Sequence, residues 1–442
     1  MKSGATTPWR ISRIGAGLAA FALAGALVDA GLALAPGRPQ AVTALDYGAA
    51  LVRGVAEADS WRPMRAALSH LEADAPTPVY RALFREQGIK FQYPPTSLLP
   101  FAALRAAFGE RALSDPALNA LAQAAAFATV ALALWLLFRT SAEAPATRPA
   151  GRLDATLRAA AAVALALCFY PFTRGFALGQ LQTLVDLLFA ALVLAFAAGR
   201  PALAGALAGL ACALKPTLGL LGLWALVRGQ ARFAVALAAA LAAIGAAATW
   251  RWGVGQELDY AALLAHVGAR GESFQPNQSP NGLAHRWLRN GDPLVWSASE
   301  LAPYHPLVHA FTLAAALGLA VLALAWRRRD AQGAELEDLL IAALAATLAA
   351  PIAWEHHYGI ALPIFAVALP RTLATPGLGR GALALLALAY LLLAHDVEAL
   401  DAFAAAGAAS PLASYTLAGG AALLAQLLWL RRARHAAAAG PV

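Results

Sequence analysis

Charged residues, cysteine and lysine are scarce in this chain of 442 residues. Only 13% of the residues are charged, whereas 60% are hydrophobic. This composition excludes a soluble domain of this length, because apolar runs of such extent need a lipid environment. Two cysteines, Cys168 and Cys212, lie within apolar runs, so the sequence contains neither a disulfide framework nor a zinc motif. Only three lysines occur.

The apolar runs recur from about residue 11 to residue 430. A hydrocarbon core about 30 Å thick needs roughly 20 apolar residues per helix. Leu and Ala dominate the runs and Gly is scattered through them, which favours closely packed helices over a membrane barrel. The sequence therefore predicts an all-α fold, a polytopic transmembrane helical bundle of about 12 spans (11 to 13), forming a single integral membrane domain over residues 1–442.

Basic residues form short clusters between the apolar runs rather than one basic face, so the net charge of +8 indicates cytoplasmic anchoring and not nucleic-acid binding. We assign to the cytoplasm both termini and these clusters: Arg10 and Arg13; Arg139 to Arg158; Arg228 to Arg232; Arg327 to Arg329; Arg371 to Arg380; Arg431 to Arg434. The opposite face then holds two long loops, residues 36–92 (the first loop) and 251–305. The first apolar run has no convincing cleavage site, and we interpret it as a retained anchor rather than a signal peptide.

Three segments depart from a simple succession of spans. The first loop contains two stretches with apolar residues at helical spacing, which predict interfacial helices. Residues 93–108 are apolar but short, and we expect a re-entrant or tilted segment there. Residues 201–227 are interrupted by Lys215 and Pro216, which predicts a hairpin of two short helices of the kind that often marks a binding site.

Polar side chains recur at the ends of the apolar runs on the predicted outer face. Amides at such points suit sugar hydroxyls, and cations neutralise a phosphate, so together they suit a saccharide phosphate. The alternatives are helix capping for the amides and, for Asp46, a favourable position at a helix N-terminus. We expect substrate-binding roles for Tyr93, Arg174, Gln180, Gln182, Lys215, Asn277, Gln278, Ser279, Arg286, Glu355, His356 and His357.

The order of the motifs resembles glycosyltransferase family 87. The resemblance rests on an acid early after the first span, Asp46, followed by FQYPP (91–95), GQLQ (179–182), AGLACALKP (208–216), NQSPNG (277–282) and APIAWEHHYGIALP (350–363). It extends from about residue 40 to about residue 370. It implies a membrane enzyme of the GT-C fold class that uses a polyprenyl-phosphate sugar as co-substrate and no cofactor.

The resemblance also implies roles for individual residues. Asp46 would be the general base that takes the proton of the acceptor hydroxyl, and the reaction would invert the anomeric configuration. Lys215, Arg174 and Arg286 are our choices for stabilising the phosphate. No metal is required. His356 and His357 are adjacent, so on one helix they would point about 100° apart and would not readily chelate one ion together. A metal site formed by Glu355 with His356 or His357 is the less favoured alternative.

The spacing of residues in the sequence specifies neither the sugar that is transferred nor the acceptor. Mannose is the choice weighted by the family, and the acceptor is expected to be a glycolipid or a cell-envelope glycan. A composition rich in Ala and Arg and poor in Lys is typical of a bacterium of high GC content, so we expect the cytoplasmic membrane, with the active site on the periplasmic or exterior face. A transporter or lipid flippase, and a non-catalytic membrane assembly protein, remain as alternatives.

Overall fold

The computed structural model describes residues 12–34, 42–73, 77–142, 152–325, 335–375 and 377–438. Within these ranges the regular structure is helical, and the sole β-type pairing is an isolated bridge between Asn277 and Trp354. The all-α prediction is confirmed for this part of the chain.

The first half of the chain contains ten α-helices within the described ranges. They are α1 (Arg13–Ala33), α2 (Ala44–Arg53), α3 (Trp61–Glu72), α4 (Leu99–Phe108), α5 (Asp115–Ala142), α6 (Arg152–Leu167), α7 (Tyr170–Ala177), α8 (Gln182–Ala197), α9 (Pro201–Leu214) and α10 (Leu220–Val227). A π-helical turn covers Arg81–Glu86, and 3₁₀ turns cover Pro95–Leu98, Glu110–Leu113 and Pro216–Gly219.

The second half continues in the same manner. Its helices are α11 (Ala231–Trp252), α12 (Val254–Arg270), α13 (Pro280–Leu288), α14 (Pro306–Leu324), α15 (Glu335–Ala349), α16 (Ala361–Ala374), α17 (Arg380–Ala394), α18 (Glu398–Asp401) and α19 (Tyr415–Ala438). Two 3₁₀ segments, Glu355–Ile360 and Gly407–Ser414, precede α16 and α19.

Five described helices are long and apolar enough to cross a membrane, and six if the bent pair α6 and α7 counts as one span. The pair bends by 56° between Leu167 and Tyr170. Four further apolar helices, α8, α9, the stretch Pro216–Val227 and α17, are shorter. Helix length alone thus supports a polytopic membrane protein, and the count of about 12 spans stays a prediction.

Residues 93–108 contain a 3₁₀ turn and the ten-residue helix α4. At about 1.5 Å per residue such a helix is about 15 Å long, roughly half the thickness of the hydrocarbon core. The segment is therefore too short to cross as a straight helix, in agreement with the expectation of a re-entrant or tilted segment.

The two predicted helices of the first loop are present as α2 and α3. In α3 the buried residues are Trp61, Met64, Ala67 and Leu68, which follow the i, i+3, i+7 spacing of one helix face. Helix α2 ends at Gly54, which adopts a left-handed conformation with φ of 71°. An amphipathic pattern in the sequence was sufficient to locate both helices.

The predicted break after α9 is also present. Pro216 disfavours a helical conformation for the residue before it, and Lys215 is accordingly extended, with φ of −156° and ψ of 117°. The chain then resumes with a 3₁₀ turn and α10. As a result Lys215 lies in the gap between two helices and not on the face of either one.

Basic residues from three predicted cytoplasmic clusters meet at the start of α15. Arg431 and Arg228 contact the two carboxylate oxygens of Asp338 at 2.5 and 3.3 Å, and Arg371 contacts Glu337 at 2.8 Å. Buried charges of this kind are stable only when they are paired. Other residues that we assigned to the cytoplasm lie outside the described ranges: Arg10, Arg148 and Arg327 to Arg329.

Candidate functional site

A cavity of about 680 Å³ lies where the first loop, the turn between α7 and α8, the break after α9 and residues 350–357 meet. Seven residues predicted to bind substrate line it: Tyr93, Arg174, Gln180, Lys215, Glu355, His356 and His357. Further polar side chains also line it, among them Glu57, Asp59, Lys90, Gln92 and Thr217. Much of the remaining wall is apolar and includes Leu220, Leu263, Leu264, Val267 and Ala346.

The segment with Glu355 and the two histidines is a 3₁₀ helix held by the loop before α13. The Ala353 amide donates to the Asn277 Oδ1 at 2.9 Å, and the Glu355 amide donates to the Pro276 carbonyl at 3.1 Å. On its other side Gly359 packs against Asp186 of α8, so closely that a Cβ at this position would lie 2.2 Å from the carboxylate. The 3₁₀ helix thus packs between the loop before α13 and helix α8.

A half-buried cation and a buried carboxylate form one part of the cavity wall. The Arg174 Nε lies 3.5 Å from the Glu355 Oε2, and the Tyr170 hydroxyl donates to the same oxygen at 2.8 Å. Arg174 also donates to the Tyr47 hydroxyl at 2.8 Å and lies 3.9 Å from Asp396. Burial raises the pKa of Glu355 to about 7, and the Arg174 charge opposes this shift.

Lys215 and the two histidines form a second part of the cavity wall. The Lys215 Nζ lies 2.5 Å from the His357 Nε2 and donates to the Gln182 Oε1 at 3.1 Å. Burial lowers the pKa of Lys215 to about 7, and burial together with the Lys215 charge lowers the pKa values of His356 and His357 well below the usual range. Both imidazoles are therefore neutral at pH 7, and the His357 Nε2 accepts from the ammonium.

This lysine has no anionic partner of its own. In the described part of the chain no carboxylate lies within 4 Å of the Lys215 Nζ, whereas Lys90 is paired with Glu272 at 2.9 Å. The His356 Nε2 and the His357 Nδ1 are buried and have no hydrogen-bond partner among the described residues. Such groups are costly in a dry interior unless a ligand satisfies them.

The amide of Gln180 organises a third part of the wall. Ser60 donates to the Gln180 Oε1 at 2.9 Å and lies 2.7 Å from the Tyr93 hydroxyl, while the Gln180 amide donates to the Asp59 carboxylate. The turn before Gln180 needs glycine, because Gly179 has φ of +67° and a Cβ there would lie 2.3 Å from a first-loop carbonyl oxygen. Tyr93 and Gln180 thus both line the cavity, and their role in substrate binding stays a prediction.

Asp59 was not singled out by the sequence. Its carboxylate lies on the cavity wall, and burial raises its pKa above the usual value. The backbone around it is fixed by bonds to the turn after α7, including the Asp59 amide to the Leu178 carbonyl at 3.0 Å. An isolated acid before α3 carries no spacing signal, so only the folded chain associates it with Gln180.

Asp46 lies apart from the cavity wall. It is exposed near the start of α2, where its carboxylate accepts from the Thr43 amide and hydroxyl, each at 2.8 Å. These contacts form a capping box, the local role that an acid in the first turn of a helix often plays. The role as base that the resemblance implies for Asp46 stays a prediction.

Four other predicted binding residues hold the scaffold instead of lining the cavity. Asn277 donates to the Glu272 and Pro351 carbonyls at 2.8 and 3.1 Å, and Gln278 and Arg286 likewise donate to backbone carbonyls. Ser279 caps α13. All four are buried and bond to groups of the protein itself, which explains why a polar loop occurs inside an apolar protein; the Arg286 Nε has no hydrogen-bond partner among the described residues. Gln182 lies behind Lys215 and contacts it directly.

The side chains of the cavity suit an amphiphilic anion. No group of three or more His, Cys, Asp or Glu side chains that could hold a metal ion occurs in the described ranges. Cations, carboxylates, neutral imidazoles and amides supply the polar lining, and leucine, valine and alanine side chains supply much of the apolar lining. An apolar cavity with a few convergent polar groups is typical of a ligand site.

Comparison with known proteins identifies one family. The family model described as Glycosyltransferase family 87 matches residues 91–351, more than half of the chain, and these residues include most of the cavity wall. No curated protein and no solved structure gives a significant match.

Proposed function

Since the chain belongs to glycosyltransferase family 87, we propose that it transfers a sugar from a polyprenyl-phosphate-linked donor to a glycolipid or cell-envelope glycan. Mannose is the first choice of sugar. The acceptor hydroxyl attacks the anomeric carbon, the bond from that carbon to the phosphate oxygen breaks, and polyprenyl phosphate leaves with the electron pair. Attack opposite to the leaving group inverts the configuration.

The observation that carries this proposal is Lys215, whose ammonium contacts Gln182 and His357 in a partly apolar cavity and has no carboxylate within 4 Å among the described residues. In the reaction a phosphodiester with one negative charge becomes a phosphate monoester that carries more negative charge. A fixed cation therefore stabilises the transition state more than the bound donor, which is the condition for catalysis. The apolar wall supports binding of the prenyl chain next to the phosphate.

The proton of the acceptor needs a carboxylate. Asp46 is the base that the resemblance implies, and Asp59 is the first-loop acid on the cavity wall. Burial raises the pKa of Asp59, which makes it a better proton acceptor than an exposed acid. We expect the base to be one of these two residues, and the position of Asp59 favours it.

We further infer that the site faces away from the cytoplasm. The basic residues that meet at Glu337 and Asp338 lie at one end of α15, and the cavity residues Ala346 and Ala349 lie at the other. Positive clusters remain on the cytoplasmic side of membranes. The separation of these groups along α15 therefore supports a site on the periplasmic face. A GT-C-like arrangement with about 12 crossings and cytoplasmic termini, in the bacterial cytoplasmic membrane, is the rest of the proposal.

A transfer assay with the purified full-length protein tests the proposal. The protein receives radiolabelled polyprenyl-phosphate mannose, glucose or arabinose together with lipid extracts as acceptors. We expect transfer from at least one donor, and Lys215→Ala should lower kcat by roughly 100-fold or more, as loss of an oxyanion-stabilising group does. His309→Ala, on α14 and outside the cavity wall, is the matched control and should leave the rate unchanged.

The same assay separates the two carboxylates. Loss of a general base costs roughly 10²- to 10⁴-fold in rate, so either Asp59→Asn or Asp46→Asn should show a loss of that size. Asp292→Asn, in an exposed loop, serves as the control. Absence of transfer from every donor, with movement of lipid or solute in proteoliposomes, would instead support the transporter.

A further inference from the structure

A buried carboxylate that the mechanism above does not use lies directly behind the cavity. Asp186 on α8 is fully buried, and its Oδ1 accepts a hydrogen bond from the Gln182 Nε2 at 2.9 Å. Its Oδ2 has no hydrogen-bond partner among the described residues, and no cation lies within salt-bridge distance of it there. An acid within an apolar helix is expensive and generally has a function.

Asp186 is connected to the cavity by a short chain of hydrogen bonds. The Gln182 Oε1 accepts from the Lys215 Nζ at 3.1 Å, and that ammonium lies 2.5 Å from the His357 Nε2. The chain thus joins three sequence motifs, from GQLQ through ALKP to EHHYG. On its far side the carboxylate packs against Gly359, the fifth residue of the last motif, where any larger residue would collide with it.

The chemistry of the amide explains why an acid is needed at this position. A carboxamide has a donor end and an acceptor end of nearly the same shape. The Asp186 Oδ1 accepts and so retains the NH₂ group of Gln182, which turns the amide oxygen towards Lys215. If the amide were reversed, its NH₂ group would meet the ammonium, and two donors would repel each other.

We propose that Asp186 is a positioning residue, which orients Gln182 so that its amide oxygen holds the Lys215 ammonium against His357 for the phosphate of the donor. The inference rests on the proposed function for the identity of the ligand. Asp186 and Asp59 are the acids near Lys215, from α8 and the first loop, and His356 and His357 face it from the 3₁₀ helix. Of these residues only Asp186 is linked to the ammonium through a side-chain amide that could adopt either of two orientations.

The test measures binding of polyprenyl phosphate, the lipid product without sugar, to the full-length protein in detergent, together with kcat and KM for the donor. Asp186→Asn presents both a donor and an acceptor to Gln182 and removes the preference for one orientation. We expect binding about tenfold weaker, the value of one hydrogen bond to a charged group. KM for the acceptor and the melting temperature should stay unchanged.

A double-variant cycle distinguishes positioning from a structural role. If Asp186 acts through Lys215, then Asp186→Asn should have no further effect in a Lys215→Ala protein, whereas a structural role predicts additive losses. Thr183→Val, which removes a buried hydroxyl without a partner in the described ranges on the same helix, is the matched control and should bind like the wild type.

The outcomes separate this inference from the proposed function. A wild-type protein that binds polyprenyl phosphate but transfers no sugar contradicts the proposed function, and the cycle still decides the role of Asp186. Additive losses, an unchanged affinity in Asp186→Asn, or no binding by the wild type would each overturn the inference.

Discussion

The proline that follows Lys215 determines both the backbone conformation of this residue and the position of its ammonium group. The following proline forces it out of the helix, and its position at the break lets the ammonium reach the cavity. There it contacts Gln182 and His357 and has no carboxylate within 4 Å in the described part of the chain. Burial lowers its pKa to about 7, so the charge that the proposed mechanism needs depends on pH within the physiological range.

Replacement of Lys215 by arginine should therefore extend transfer to higher pH. The lysine loses its proton as the pH rises through about 7, whereas a guanidinium stays charged up to about pH 12. We expect the wild-type kcat/KM for the donor to fall above about pH 7 and that of Lys215→Arg to stay level to about pH 9, even if its maximum is lower.

We expect the ionisation of Glu355 to determine how kcat/KM for the donor falls on the acid side of the pH profile. Its pKa is raised to about 7 by burial, so it takes up a proton and loses its ion pair with Arg174 as the pH falls through about 7. Both proteins should share this acid limb. Identical alkaline limbs in the two proteins would contradict a role for the Lys215 charge.

At the scale of elements, the decisive feature is the clamp between the loop before α13 and the segment before α16. Asn277 alone bonds Glu272, Pro351 and Ala353 through its side chain, and the Gln278 amide donates to the Ala353 carbonyl at 2.8 Å. The clamp fixes the 3₁₀ helix whose histidines face the cavity. Polar residues that a sequence assigns to a ligand are here needed to satisfy backbone groups in an apolar interior.

Asn277→Ala should loosen this clamp. It removes the partners of the Glu272 carbonyl and the Ala353 amide, at about 1–3 kcal/mol for each group left unsatisfied, whereas the Pro351 carbonyl keeps its bond from the Ser279 hydroxyl. We expect a lower melting temperature in detergent and a parallel loss of transfer.

Asn290→Ala, in the loop after α13 and outside the cavity wall, removes contacts with the Pro303 carbonyl and the His285 ring and is the control. The transfer rate per folded molecule of Asn290→Ala should equal that of the wild type. A stable Asn277→Ala protein with selective loss of donor binding would instead show that Asn277 contacts the donor.

At the scale of the whole molecule, the ends of the helices are chemically distinct. Arginines gather around two acids at the start of α15, and Arg139 near the end of α5 donates to the Ala197 carbonyl at the end of α8. The cavity lies among the opposite ends. This polarity is what a membrane protein needs in order to keep a fixed orientation.

Cysteine labelling tests the orientation. In a background with Cys168 and Cys212 replaced by alanine, Ala298→Cys in the loop near the cavity should react with a membrane-impermeant maleimide in intact cells. Arg200→Cys, in the exposed turn between α8 and α9, should react only after permeabilisation. The cysteine-free protein controls for background. Labelling of Arg200→Cys in intact cells would refute the proposed orientation.

The sequence by itself determined the class of the protein, because the length and number of apolar runs require a lipid environment. It also determined the family, which the order of the motifs indicates and the family model confirms. Local rules located the first-loop helices and the break at Pro216, since amphipathic spacing and the proline ring act on neighbouring residues alone.

Only the tertiary structure decided which polar residues line the cavity. Asn277 bonds the Pro351 carbonyl and Arg286 bonds the Ser414 hydroxyl, which lie 74 and 128 residues away, and no pattern within a motif reveals those partners. Asp59 and Asp186 are single acids without a spacing signal, and they gain their positions from contacts with Gln180 and Gln182. Burial and pairing depend on the whole fold, so the sequence could name the motifs but not assign each side chain to ligand or scaffold.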